Sequence, residues 1–264
     1  LLVNLFNSDD YEKDIDIFIY SFLKMDTNIE NRYMDYIIKF LETGNETILD
    51  DLYNGLSSTL ENSDIFEFIP TFLGMKLVGK FKTSNLWNTL RSINMSFDWS
   101  EFISYKSKDT WTFFPSQVQA LEGGILNSND SFSLQMPTSA GKTSLCELII
   151  YNEVHFNKRK VIFLAPFRAL ATELKYGLGK RLSALGIRTK TIYGGNIPTL
   201  DEKSELSDID LLICTPEKFM AIENQIPNIH RLFSTVICDE GHLIDDEQRG
   251  LNYELLLSKL KQQI

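Results

Sequence analysis

A chain of 264 residues, 43% hydrophobic and 23% charged, is long enough to bury the core of one or two domains. Its net charge of −10 excludes a surface that attracts nucleic acid everywhere. No run approaches the ~20 apolar residues of a membrane span, and the opening Leu1-Leu2-Val3-Asn4-Leu5-Phe6 lacks the length and basic flank of a signal peptide. Position 1 is not Met, which suggests a trimmed chain. Cys146, Cys214 and Cys238 stand far apart without a CxxC pair, so they form neither a zinc site nor a disulfide framework and fit a reducing, cytoplasmic setting. Each borders an apolar stretch and reads as a small buried hydrophobe.

From Tyr11 to about Arg91 apolar residues recur at three and four, as in Ile15, Phe18, Ile19 and Phe22, then Tyr33, Tyr36, Ile37, Phe40 and Leu41. Breaks at Thr43-Gly44-Asn45, Asn62-Ser63 and Lys82-Thr83-Ser84 divide this region into four or five short helices. An all-α N-terminal domain over residues 1–108 follows. It carries 10 Lys/Arg against 17 Asp/Glu, whereas residues 109–264 carry 16 against 19, so most of the acidity lies in the helical part. Its acidic opening (Asp9, Asp10, Glu12, Asp14, Asp16) reads as a solvated face.

After Trp111 short β-branched and apolar runs alternate with helical stretches. The predicted strands are Phe132–Met136, Val161–Ala165, Thr189–Tyr193, Leu211–Cys214 and Val236–Cys238. The predicted helices are Pro115–Leu126, Thr143–Val154, Ala169–Leu185, Glu217–Glu223 and Asn252–Leu260. Such alternation implies an α/β domain over residues 109–264, with a mostly parallel sheet covered on both faces. Ligands of such sheets sit beyond the carboxyl ends of the strands.

Two motifs fall at such ends. Met136-Pro137-Thr138-Ser139-Ala140-Gly141-Lys142-Thr143 has the wording of a phosphate loop, with Met136 where the general pattern has its first glycine. The loop Pro137 to Thr143 at a helix start suits phosphate oxygens through the backbone N–H groups that follow the proline, Lys142 brings a compact charge to the β and γ phosphates, and the Thr143 hydroxyl suits magnesium. Asp239-Glu240-Gly241-His242 lies 97 residues beyond Lys142, directly after the run Val236-Ile237-Cys238. There Asp239 suits the metal and Glu240 the attacking water. The two motifs in order imply a site for ATP and Mg2+.

These residues resemble the superfamily 2 helicases of the DExH-box (DEAD/DEAH-like) kind, whose phosphate loop commonly lacks the first glycine. The wording Thr138-Ser139-Ala140-Gly141-Lys142-Thr143 is most similar to the Ski-type branch. The resemblance implies a P-loop NTPase fold, a RecA-like domain, and further roles in order. Phe114-Pro115-Ser116-Gln117 resembles the adenine-reading Q motif, in which Gln117 bonds the adenine edge; the same glutamine also suits a plain helix start after Pro115. Ala165-Pro166-Phe167-Arg168 resembles motif Ia, Tyr193-Gly194-Gly195 the glycine pair after the next strand, and Thr215-Pro216-Glu217-Lys218 motif Ib. Through Arg168, Gly194, Gly195, Thr215, Pro216 and Glu217 the resemblance implies a grip on the backbone of single-stranded or partly duplex DNA or RNA. His242 is the implied coupling residue between nucleotide and strand. His155 and His230 have no partner pattern and read as packing or surface residues.

After His242 the sequence has no Ser-Ala-Thr-like motif III and no Gly-Arg-x-x-Arg pattern to supply an arginine finger, whose contribution is about 10³ to 10⁵ in rate. Weak or no ATP turnover is therefore expected from this chain alone, as from the first RecA-like domain of a longer helicase or translocase. A second reading is a nucleotide-gated interaction module, with the helical N-terminal domain docking a protein partner such as a nuclease of a bacterial defence system. An unrelated P-loop ATPase or kinase does not account for the ordered motifs.

Overall fold

The computed structural model describes residues 30–63, 65–127, 130–137, 140–193, 206–242 and 250–263. The chain divides into two compact units, Leu1–Ala140 and Gly141–Ile264.

The first unit is helical. Helices α1 (Glu30–Thr43), α2 (Glu46–Asn62), α3 (Ile65–Ser84) and α4 (Leu86–Ile93) follow one another with one or two residues between them. The first two joints lie at the expected breaks, whereas α3 runs on through Lys82-Thr83-Ser84 and the third joint is Asn85; the part of the expected helical region before residue 30 lies outside the described residues. Each joint has a local cause. Asn45 caps α2 by accepting the Thr47 N–H at 3.2 Å, and the fully buried Asn85 caps α4 by accepting the Asn88 N–H at 2.9 Å. Ile48, Leu49, Leu52 and Leu56 on α2 are buried, as are Phe40 and Leu41 of α1, Phe81 of α3, and Leu86 and Leu90 of α4. Helices α5 (Ser100–Lys106) and α6 (Pro115–Glu122) complete the unit. Helix α6 ends four residues before its predicted limit, at the Gly123-Gly124 pair, where Gly124 has φ +87°.

The expected strand Phe132–Met136 is not formed: these residues pair with no strand among the described residues. A ladder needs a partner backbone and cover for its apolar face, yet Phe132 is 53% and Leu134 41% exposed. The phosphate-loop sequence therefore enters from irregular chain rather than from a strand.

The second unit is an α/β layer. Helix α7 (Lys142–Tyr151) runs into a π-helical turn, Asn152–Phe156. Strand β1 (Val161–Leu164) precedes α8 (Arg168–Leu174), which continues through a second π-helical turn, Lys175–Gly179, into α9 (Lys180–Ala184). Then come β2 (Thr189–Ile192), β3 (Leu211–Cys214), α10 (Pro216–Gln225), a 3₁₀ turn (Ile229–Leu232), β4 (Thr235–Cys238) and α11 (Gly250–Gln263).

The sheet order is β2-β3-β1-β4 and every pairing is parallel. Central β1 and β3 are buried at all four positions, as their unbroken apolar sequences Val-Ile-Phe-Leu and Leu-Leu-Ile-Cys require. One face, through Ile162, Leu164, Leu212 and Cys214, packs on Phe219, Ile222, Ile226, Ile229, Phe233, Leu256 and Leu260. The opposite face meets the α8–α9 helix, where Gly179 approaches Ile213 and Thr189. Below that helix the fully buried carboxylate of Glu147, on α7, accepts from Arg181 Nε at 3.3 Å.

In the first unit Gly44 has φ +63°, and a methyl group there would lie 2.6 Å from the Arg91 guanidinium and 2.7 Å from the Trp87 ring. Arg91 is held in place by donating to Gly44 O at 2.8 Å and stacking over Trp87 at 4.6 Å. Gly44→Ala is expected to destabilise this unit by at least about 1–2 kcal/mol from the left-handed backbone alone, read as a lower urea midpoint in tryptophan fluorescence.

Candidate functional site

The parallel register fixes the site. Leu164 of β1 lies level with Cys214 of β3 and with Cys238 of β4, so the three strands end together. Ala165 N–H still donates to Cys214 O at 2.9 Å and Asp239 N–H to Leu164 O at 3.2 Å, extending the ladder by one residue. Beyond that point the chain leaves the sheet on one edge. In spatial order the edge carries Tyr193, then Thr215, then Ala165 leading to Arg168, then Asp239.

Helix α7 brings Lys142 to the same edge. Gly141 precedes it with φ +77° and ψ 31°, a left-handed setting that L side chains rarely adopt, and Leu145 N–H returns to Gly141 O at 3.0 Å. Lys142 is half-buried and Thr143 exposed. The Asp239 carboxyl is raised above its usual 3.8, chiefly because burial penalises its charge. The Glu240 N–H, which it accepts at 3.0 Å, and the Lys142 ammonium lower it, while the Glu240 carboxylate pushes it up. The same two charges act on Cys146, one helical turn after Lys142. Burial, then Asp239, pushes its thiol up to about 12, against the pull of Lys142. Lys142, Cys146 and Asp239 thus share one electrostatic neighbourhood.

Glu240 follows with φ +52°, an uncommon setting for a side chain other than Asn, Asp or Gly. Its Oε2 lies 3.3 Å from His242 Nδ1, and both side chains are solvent-accessible. Behind them Tyr253 of α11 buries its ring to 4% exposure and aims its hydroxyl at Cys238 without a regular hydrogen bond. Burial, Cys238 and the nearby Asp239 charge all raise that phenol.

Of the residues expected to hold a nucleic-acid strand, Arg168, Thr215, Pro216 and Glu217 fall on the β1 and β3 side of the edge. Arg168 is exposed at the first position of α8. Thr215 is buried to 7% exposure and caps α10 by accepting the Lys218 N–H at 3.4 Å; Pro216 is buried at the first helical position and Glu217 exposed at the second. Gly194, Gly195, Thr138 and Ser139 lie outside the described residues. In the first unit, Gln117 is buried to 2% exposure, and its Oε1 accepts the Phe114 N–H at 2.9 Å, the helix-start arrangement. Pro137 is exposed and its carbonyl accepts the Ala140 N–H at 3.2 Å.

Sequence reading took Cys146 only for a small buried hydrophobe and did not single out Tyr253. The four-residue spacing from Lys142 places Cys146 on the same helix face, a signal present in the sequence. For Tyr253 there was none, because only the packing of α11 against β4 brings it to Asp239. His230 is buried as expected of a packing residue but has a polar partner that the sequence did not show, its Nδ1 lying 2.6 Å from Glu223 Oε1, and His155 is half-buried, its Nε2 lying 3.0 Å from Leu185 O.

Among the described residues no helix is long and apolar enough to cross a membrane. Comparison with known proteins then supplies the family. Residues 114–264 match the DEAD/DEAH box helicases. The chain is 28% identical over 235 residues, 86% of its length, to Hachiman protein HamB of Bacillus cereus. It is 36% identical over 154 residues, 56% of its length, to the ATP-dependent DNA helicase Hel308 of Methanocaldococcus jannaschii. To DNA polymerase theta of Drosophila melanogaster it is 33% identical over 177 residues, 66% of its length. It spans only 21%, 12% and 8% of those three proteins. With the family match covering more than half of the sequence, and Lys142, Asp239 and Glu240 at the edge where a nucleotide binds in such a sheet, the chain belongs to the DEAD/DEAH box helicases.

Proposed function

We propose that residues 109–264 form the ATP-binding half of an ATP-dependent helicase or translocase, with a nearest likeness to the Ski-type branch, that binds Mg-ATP and grips the backbone of a single DNA or RNA strand. The observation that carries this reading is the shared neighbourhood of Lys142 and Asp239 at the carboxyl edge of the sheet. ATP supplies the phosphoryl group and Mg2+ the charge that neutralises it. Lys142 holds the β and γ phosphates, with the backbone N–H groups of Thr138 to Gly141, in the loop that starts at Pro137, around them. Thr143 and Asp239 hold the metal: one hydroxyl and one carboxylate, both oxygen donors of the kind magnesium takes. Glu240 accepts a proton from the attacking water.

Arg168, Thr215, Pro216 and Glu217 on the same edge, together with Gly194 and Gly195 of the sequence motif, meet the sugar-phosphate backbone. His242, in reach of Glu240, couples hydrolysis to that strand. A second reading, docking of a protein partner through the helical N-terminal residues, is supported by the reach of the similarity to HamB. At 86% of the chain it extends into the helical part as well as the helicase domain.

The functional reading is tested on the whole gene product by ATP hydrolysis with and without single-stranded DNA or RNA. Strand-stimulated turnover is expected; equal turnover in both conditions removes the motor assignment. Glu240→Gln is expected to keep nucleotide affinity while slowing stimulated hydrolysis by about 10²- to 10⁴-fold. Unchanged turnover takes the base role from Glu240.

Asp239 gives a pH-dependent prediction. Because its carboxyl is raised in the folded state, its contribution to stability is complete below the usual 3.8 and is lost as pH rises through the raised value. At pH 7 the ionised group is a net cost to the metal-free fold. Asp239→Asn should therefore raise the urea midpoint at pH 7, with the gain disappearing below about pH 3.8, while magnesium-dependent hydrolysis is lost.

A further inference from the structure

A buried polar cluster lies on the helix-covered face of the second unit, away from the nucleotide edge. Glu223 of α10, 5% exposed, accepts from both sides. His230 Nδ1, on the 3₁₀ turn, lies 2.6 Å from its Oε1, and Lys259 Nζ, on α11, lies 2.8 Å from its Oε2. An ionised carboxylate only accepts, so His230 donates through Nδ1, and its Nε2 is buried without a hydrogen-bond partner. Three separate elements meet at one carboxylate.

The surroundings make this cluster unusual. Phe219, Ile222, Ile226, Ile229, Leu256 and Leu260 pack around it as a continuous apolar core. Apolar contact is non-directional and tolerates small rotations and slides of one helix on another. Directional bonds from two other elements to Glu223 do not. Stability alone does not call for the cluster, since an ion network in such a setting is often no better than apolar packing of the same volume, and here it leaves Nε2 unpaired. What directional bonds add is register. Glu223 lies seven residues after Pro216, so a setting imposed on it is carried along about 10 Å of helix to the edge where Thr215, Pro216 and Glu217 stand.

We propose that Glu223, held by His230 and Lys259, is a positioning residue for strand engagement. It fixes the rotational and axial setting of α10, and thereby the placement of Thr215, Pro216 and Glu217. Through Lys259 it also ties that setting to α11, the helix whose Tyr253 lies behind Asp239. This inference rests on the reading of the β1 and β3 side of the edge as the nucleic-acid face.

The test uses the whole gene product carrying Glu223→Gln, Lys259→Met or Lys259→Arg. For each, affinity for labelled oligo-dT and oligo-U single strands, affinity for a fluorescent ATP analogue, and the thermal midpoint are measured. Lys259 is half-exposed, so Lys259→Met removes the charge at a position where folding is retained. Glu223→Gln and Lys259→Met are expected to weaken strand binding about 2- to 30-fold. Nucleotide affinity is expected to stay within about twofold, and Lys259→Arg to restore strand affinity. Unchanged strand affinity in all three variants overturns the positioning role. So does a parallel loss of strand and nucleotide binding with a lowered midpoint, because that pattern marks structural support alone. If the unsubstituted protein binds neither strand, the functional reading itself fails and the positioning role fails with it.

Discussion

Everything at the candidate site depends on the parallel register that sets β1 between β3 and β4. Because Leu164 is level with both Cys214 and Cys238, three strands expire at one height and release Ala165, Thr215 and Asp239 side by side. A slip of one residue in either pairing would turn the alternate side chains to the opposite face, burying what must be exposed. The register is held by completely buried strands, whose apolar side chains leave no second solution. It also requires helices on both faces, and so explains why helices separate the strands in sequence.

Around Asp239 the fold accepts several unfavourable local terms together. A carboxylate is partly desolvated, the next residue sits at positive φ, and a phenol hydroxyl is enclosed beside a thiol without a regular partner. The buried Glu147–Arg181 pair contrasts with this, since there a carboxylate at 0% exposure has a guanidinium beside it and ties α7 to the α8–α9 helix. Local rules broken at one place and kept elsewhere are what a site of use looks like. At Asp239 the compensation is partial, from the Lys142 ammonium and the Glu240 N–H, and burial outweighs it.

Much of this was legible in sequence, for identifiable reasons. Four-residue apolar runs such as Leu211–Cys214 announce buried strands, and Asn45 and Thr215-Pro216 announce helix starts, by a side chain that satisfies a free N–H group and a ring that needs none; the cap at Asn85, one residue past the expected break, was not read. The phosphate-loop and acidic motifs were legible because their residue types are dictated by phosphate and metal chemistry. The strand expected at Phe132–Met136 failed because alternation describes a surface suited to pairing and says nothing of whether a partner is present. Tyr253 and Lys259 were invisible for a related reason. Their contacts are with Cys238 and Glu223, and Lys259 is 36 positions from its partner, a separation no local periodicity encodes.

Helix α7 ends in a π-helical turn, Asn152–Phe156, whereas the second such turn, Lys175–Gly179, interrupts the α8–α9 helix that covers one face of the sheet. It accommodates one residue more than a regular turn, so α9 resumes with the sequence phase rotated by roughly 100°. A chain one residue shorter at this turn would regularise the helix and leave the sheet untouched, while one residue shorter between the turn and Arg181 would rotate Arg181 away from Glu147. The extra residue at Lys175–Gly179 thus keeps the α8–α9 helix in step with both the sheet and α7.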